Sequence, residues 1–323
     1  MIEVNSDTSK ERVEDLLKDK AWLIDKRESI DQISVPGEGN MNVVLRIETN
    51  MRSIILKQSR PYVQKYPSIP APLDRIDVEY QFYKSLQGQP ISNHLPEVIA
   101  YDSTDHLLLM QDLGKVSDMT RLYSDQHFDA NDLQVLVEVL SGVHSIAVSS
   151  QYPENLALRR LNHQHIFVLP FMEDNGFDLD DVQPGLQVLS KHYKEDQKLK
   201  STISKIGELY LNSGDVLLHG DYYPGSWMKV DEEVFVLDPE FSFVGFREFD
   251  LGVMIAHLLI ATNDLDIIGQ ALDQYQPSYD LKLVKQIAGI EITRRIIGLA
   301  QLPLERSIEE KKDLLDMAYS LII

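Results

Sequence analysis

The 323-residue chain contains no cysteine. Disulfides, thiolate nucleophiles and zinc–thiolate sites are thereby excluded. Positive charge is scarce: 31 lysines and arginines face 51 aspartates and glutamates, for a formal net charge of −20. A nucleic-acid binder needs a basic face, so this balance argues against such a partner. An anionic nucleotide remains admissible if the few cations gather at its site. Long apolar runs are also missing. The stretch Val253 to Ala261 includes His257 and is far too short to span a bilayer, so no membrane partner is expected. The opening residues, MIEVNSDTSKERVEDLL, are acidic and helix-like and lack the pattern of a leader. The cytoplasm is the expected location. There are no repeats and no low-complexity tracts.

What is present is an ordinary globular composition, 43% hydrophobic and 25% charged, long enough for two lobes. Residues 8–26 read as a helix. Ile33 to Glu48 reads as strand, glycine turn, strand, and Ser53 to Gln58 as a third strand. Pro61 to Leu73 reads as a proline-punctuated loop and Asp74 to Leu86 as an amphipathic helix. Pro96–Tyr101 and Leu107–Met110 are two further strands. Beyond Gly114 helical periodicity dominates, over 132–146, 187–211, 249–261, 281–301 and 307–322. A β-rich first third joined to a helical remainder predicts an α+β, bilobal fold and suits a protein-kinase-like one. Residues 1–113 would form a nucleotide-binding N-lobe. Residues 114–323 would form a C-lobe with the catalytic loop and the metal and acceptor sites.

The densest signal runs from Leu218 to Gly252. His219-Gly220-Asp221 opens a loop, and Ser226 follows five residues after Asp221. The apolar run Val234–Leu237 then delivers Asp238 and Glu240. In kinases a loop aspartate accepts the proton of the attacking hydroxyl. A polar residue five positions on, and an acidic group on the next strand, hold Mg²⁺. Asp221 is therefore the candidate base, Ser226 a cofactor contact, and Asp238 and Glu240 the candidate metal ligands. If that strand continues through them, i and i+2 share a face.

Gly37, Gly39 and Asn40 lie in the GEGNMN turn, which is neither GxGxxG nor a Walker A sequence. Backbone N–H groups there are candidates to approach phosphates, although a plain hairpin turn is the favoured reading of the glycines taken alone. Lys57 ends the run Ile54-Ile55-Leu56 and is positioned to reach ATP phosphates. Glu79 is its best partner, with Asp77 and Glu48 as rivals. Met110, Gln111 and Leu113 occupy the place of an interlobe hinge where backbone groups would hold adenine.

Four segments carry a resemblance: GEGNMNVVLRIE, KQSRPYVQKYPSIPAPLDRIDVEY, HGDYYPGSWM with DPEFSFVGFREFDLG, and TRRIIGLA. Together they resemble the aminoglycoside phosphotransferase and choline kinase superfamily, and within it the 5-methylthioribose kinase family. The resemblance implies a kinase fold, ATP and Mg²⁺ as cofactors, and a small-molecule acceptor. It also implies that Asp221 acts as base, that serine replaces the usual asparagine at 226, and that Asp238 and Glu240 form the metal motif. Arg294 and Arg295 match paired arginines near phosphates and substrate. 5-Methylthioribose is the first acceptor implied, with another sugar, choline or ethanolamine, or an aminoglycoside as alternatives. A nucleotide-binding pseudokinase is the non-catalytic alternative, and a homodimer stays open. The likeness departs at Tyr222-Tyr223-Pro224, where the family has Leu-His-Thr, and at Trp227.

Simpler readings stand beside these. Arg295 could pair with Glu291 at i,i+4 while Arg294 is exposed. His163 and His165 alternate and could share one face of a strand, as surface, acceptor-pocket or metal residues. His144 and His257 sit in apolar helical context and read as packed. His219 reads as a loop-shaping residue and Asp250 as a cap on the loop backbone. Tyr222, Tyr223 and Trp227 read either as an acceptor wall or as packing under the loop.

Overall fold

A computed structural model describes residues 2–37, 41–302 and 304–323. The chain packs into two compact units. The first comprises 1–117 and 229–241, and the second 118–228 and 242–323. The return of 229–241 to the first unit is not visible in a single cut near residue 113.

The first unit is built on a five-stranded antiparallel sheet. Its strands are β1 (Ile30–Ser34), β2 (Val43–Thr49), β3 (Ser53–Gln58), β6 (Val98–Asp102) and β7 (Leu107–Gln111), in the order β1-β2-β3-β7-β6. Alternation along the strands turns Leu45, Ile47, Ile54, Leu56, Leu107 and Leu109 into one core. Val13, Leu16 and Leu17 of helix α1 (Lys10–Asp19) close that core. Ser9 caps α1 by accepting from Arg12 N–H. The helix stops at Asp19, short of the expected residue 26, because Ala21 adopts a left-handed backbone and Trp22 and Leu23 turn onto the core. On the segment read as loop, Tyr62–Val63 (β4) and Tyr66–Pro70 (β5) pair as a short ribbon. Helix α2 (Arg75–Leu86) packs on β6 and β7.

The second unit is mainly helical. It contains α3 (Leu122–Asp125), α4 (Ala130–Val143), α5 (Leu156–His163), α6 (Leu186–Glu195) and α7 (Gln197–Leu211). Later come α8 (Glu248–Thr262), α9 (Asp266–Leu272), α10 (Leu281–Ile297) and α11 (Ile308–Ile322). The expected single helix over 187–211 is two. Asp196 leaves helical geometry and its carboxylate accepts Leu199 N–H at 2.8 Å, starting α7 afresh. Strands β8 (Val216–Leu218) and β11 (Phe243–Gly245) pair antiparallel. The ribbon of β9 (Trp227–Val230) and β10 (Glu233–Val236) leads the chain back into the first unit.

Helix α8 is buried at every position from Phe249 to Ala261, which explains its lack of a polar face. It lies against α10 so closely that a Cβ on Gly252 would sit 2.5 Å from Ile287 Cβ and 2.9 Å from the Val284 carbonyl. Gly252→Ala should therefore push the helices apart and destabilise the protein by about 1–3 kcal/mol. Denaturant unfolding checks this, and an unchanged midpoint would contradict the close packing.

Candidate active site

In the second unit, the segment after β8 makes the His219-Gly220-Asp221 turn. Asp250, fully buried in the first turn of α8, accepts His219 N–H at 2.6 Å and Gly220 N–H at 3.0 Å. His144, at the C-terminal cap of α4, meets the same carboxylate through Nε2 at 3.2 Å, and its Nδ1 meets the Tyr275 hydroxyl at 2.7 Å. Ser226 closes the loop by donating from Oγ to the Asp221 carbonyl at 2.8 Å. His219 accepts Asp221 N–H at Nδ1 over 3.3 Å, a loop-shaping contact. Tyr222 and Trp227 are fully buried, and the Tyr222 hydroxyl donates to the Leu136 carbonyl at 2.8 Å. Both pack beneath the loop.

Arg294 and Arg295 are buried in α10, not spread between core and solvent. Positions i+3 and i+4 straddle position i by about 50° on either side, so both side chains reach back to Glu291. Arg295 Nε donates to Glu291 Oε1 at 2.8 Å, and Arg294 Nε donates to Glu291 Oε2. Burial disfavours the Glu291 charge, but the two guanidiniums outweigh it and hold its carboxyl well below the usual range. Arg295 also brings Nη2 to 3.6 Å from Asp221 Oδ1. Burial pushes the Asp221 carboxyl up to about 6, against the pull of Arg295 and then Arg294. That carboxylate retains 23% exposure, so a reactant hydroxyl can reach it.

In the first unit, Lys57 projects from β3 on the face opposite Leu56. Its Nζ donates to Glu79 Oε1 at 2.6 Å and also to Asp238 Oδ1. Burial opposes the ammonium charge, but Asp238 and Glu79 more than offset it and raise its pKa well above the ordinary value. The rivals are engaged elsewhere: Asp77 accepts from the Tyr101 hydroxyl at 2.6 Å, and Glu48 pairs with Lys115 at 2.7 Å. Asp238 and Glu240 do not continue the strand. β10 ends at Val236, Asp238 takes a left-handed backbone with φ 60°, and Pro239–Phe241 is a 3₁₀ turn. A residue before proline disfavours helical backbone, so this conformation is held by its surroundings. The consequence is two different environments. The Asp238 side chain is 48% exposed, whereas Glu240 is buried, accepts Asn42 Nδ2 at 2.8 Å and lies 3.5 Å from Arg75 Nε. Burial pushes the Glu240 carboxyl up to about 8.

Of the remaining candidates, Gly39 and Asn40 lie outside the described residues. Gly37 is bordered by open space. Met110 is buried in β7 between β3 and β6, and Gln111 N–H is spent on the Glu97 carbonyl at 2.8 Å. Leu113 follows the strand end, half-buried. His163 and His165 are helical: α5 runs through His163 into a π turn over Gln164–Val168, so the two rings cannot share a strand face. Burial lowers the pKa of His165, and the charge of Arg294 adds to that effect. Among the described residues no group of three or more His, Cys, Asp or Glu could hold a metal ion. Nor is any helix among them long and apolar enough to cross a membrane.

Sequence reasoning missed Asn42 and Arg75. Arg75 is fully buried, with Nε on Asn42 Oδ1 at 2.8 Å and Nη2 on the Met41 carbonyl at 2.7 Å. No spacing links these residues to Glu240.

The model of the phosphotransferase enzyme family matches residues 32–282. The chain belongs to this family. Among relatives of this phosphotransferase, the methylthioribose kinase of Bacillus velezensis is 26% identical, over 87% of this chain and 84% of that one. The methylthioribose kinase of Exiguobacterium sibiricum is 29% identical over 70% of this chain, and the match spans 60% of that relative's length. Among solved structures, the choline kinase LicA of Streptococcus pneumoniae aligns with a TM-score of 0.54 and 11% identity, covering 96% of this chain and 99% of that one. A spectinomycin phosphotransferase aligns at 0.55 and 13% identity, covering 98% and 99%. At such identities the two structures show that this phosphotransferase has the kinase-like fold.

Proposed function

We propose that this phosphotransferase transfers the γ-phosphoryl group of ATP to a hydroxyl of a small metabolite, with 5-methylthioribose as the acceptor. The observation that carries the reading is the Asp221–Arg295–Glu291–Arg294 cluster: a partly exposed carboxylate beside two buried, charged guanidiniums. Asp221 takes the hydroxyl proton as the acceptor oxygen attacks the γ-phosphorus. The bond from that phosphorus to the β–γ bridging oxygen breaks, and ADP leaves. Arg294 and Arg295 offer planar donor edges to the charge on the phosphoryl oxygens. Lys57, kept charged by its carboxylate partners, serves the same end at the ATP phosphates.

The residues of the first unit fit Mg²⁺. This ion needs only one or two carboxylates besides phosphates and water. Asp238 is a half-exposed carboxylate, and Glu79 Oε2 is a buried polar atom with no hydrogen-bond partner among the described residues. Asp238 would hold the ion, with Glu240 beside it once that carboxyl is ionised. When bound, the ion neutralises charge on the phosphate oxygens.

Methylthioribose is favoured by the names of the relatives and by the combination of the arginine pair, Ser226 and the Asp-Pro-Glu turn. The test compares methylthioribose, ribose, choline, homoserine, thiamine and kanamycin at equal concentration. Methylthioribose should give the highest kcat/KM, the quantity that reports differential transition-state binding. Robust transfer to another compound and none to methylthioribose would overturn the acceptor assignment and leave phosphoryl transfer standing. ATP binding without transfer to any acceptor would overturn the enzymatic reading.

A further inference from the structure

Four segments of the second unit meet behind Asp221. Tyr123 comes from α3, His257 from α8, Glu291 with both arginines from α10, and Tyr223 from the catalytic loop. The Tyr123 hydroxyl lies 2.6 Å from His257 Nδ1, and His257 Nε2 lies 3.0 Å from Glu291 Oε1. Glu291 then holds both arginines, and Arg295 reaches Asp221. The Arg295 guanidinium also sits 4.7 Å from the centre of the Tyr223 ring, which lies 5.0 Å from the His257 ring. A Cβ at residue 225 would come within 2.4 Å of the tip of that ring, so Gly225 leaves the space in which Tyr223 lies. His257 and Glu291 are essentially inaccessible to water, and Tyr123 nearly so.

Proton positions follow from the chemistry of the partners. Ionised Glu291 can only accept, so His257 Nε2 carries the hydrogen and Nδ1 accepts from Tyr123. Burial pushes the His257 pKa down to about 4, against the opposing Glu291 hydrogen bond, so the ring is neutral. A neutral imidazole can orient Glu291 without competing with the arginines for its charge.

We propose that Glu291, oriented by His257 and Tyr123, is a positioning residue that anchors Arg295 through Nε, so that Nη2 is held beside Asp221 for the transferring phosphoryl group while Nη1 faces the Ala300 carbonyl at 3.4 Å. This rests on the phosphoryl-transfer reading. Tyr223 supports the same guanidinium from its face, a cation–π contact that also resists tilting.

The test uses the full-length protein with nitrogen-15-labelled histidine and arginine. Wild type should show His257 as the neutral Nε2–H tautomer and protected Nε–H signals from Arg294 and Arg295. Tyr123→Phe removes only the hydroxyl. It should disturb the His257 signal and lower kcat about tenfold, with KM for ATP and for methylthioribose nearly unchanged. Glu291→Gln should lower kcat about a hundredfold, the scale expected when a reacting group is misplaced by about 1 Å. Both are assayed where circular dichroism shows the variant folded. A cationic or Nδ1–H His257 in wild type would overturn the proposal. So would wild-type kcat in Tyr123→Phe with the His257 signal altered. If wild type transfers phosphate to no acceptor, the kinase reading fails by itself, because the resonances report the network without turnover.

Discussion

Asp221→Asn should reduce turnover by roughly 10²–10⁴-fold, the range for loss of a general base, while nucleotide binding largely survives. The substitution keeps shape and removes the proton-accepting charge beside Arg295. The pH dependence gives a second readout. A base works only when ionised, and burial raises this carboxyl to about 6. Its ionised fraction is full well above that pH and falls as pH drops through it. The kcat/KM of wild type should therefore decline on the acid side with a midpoint near 6, and the residual activity of Asp221→Asn should lack that limb. Near-normal turnover in the variant would remove Asp221 from the chemistry.

The largest expected loss of stability is Asp250→Ala. Its carboxylate accepts two backbone N–H groups of the catalytic loop and meets His144, all without solvent. Truncation leaves two buried donors unsatisfied, at about 1–3 kcal/mol each, so a total of roughly 2–6 kcal/mol is expected. Equilibrium denaturation measures it directly. A shift below about 1 kcal/mol would mean that the loop finds other partners or water. Turnover should fall as well, since the loop that carries Asp221 loses its brace.

Local spacing made much of this legible. The strand that carries Lys57, the loop from His219 to Ser226 and the pair Asp238 and Glu240 lie in short windows that can be read residue by residue. The five-stranded sheet and the long helices follow from hydrophobic period. Other features have no local signature. Tyr123 and His257 are 134 residues apart, and Asn42 and Glu240 are 198 apart. Their pairing depends on topology that no motif encodes. Boundaries failed where one residue overrode a pattern: Asp196 splits α6 from α7 although the apolar period continues through it. The left-handed Asp238 was hidden because an apolar run into Asp-Pro-Glu reads naturally as a continuing strand. The simple i,i+4 pairing of Arg295 with Glu291 left Arg294 exposed, because the i,i+3 reach of Arg294 to the same carboxylate has no mark in the sequence.

The return of residues 229–241 to the first unit sets an order of events during synthesis. The sheet strands are complete in the nascent chain at Gln111, but Glu240 is made 129 residues later. At about 5–20 residues per second, that delay is roughly 6–26 s. Through that interval Arg75 has its backbone carbonyls and Asn42 but not Glu240, and Lys57 has Glu79 but not Asp238. The nascent first unit thus carries two buried cations that each lack one carboxylate partner until the ribosome supplies it.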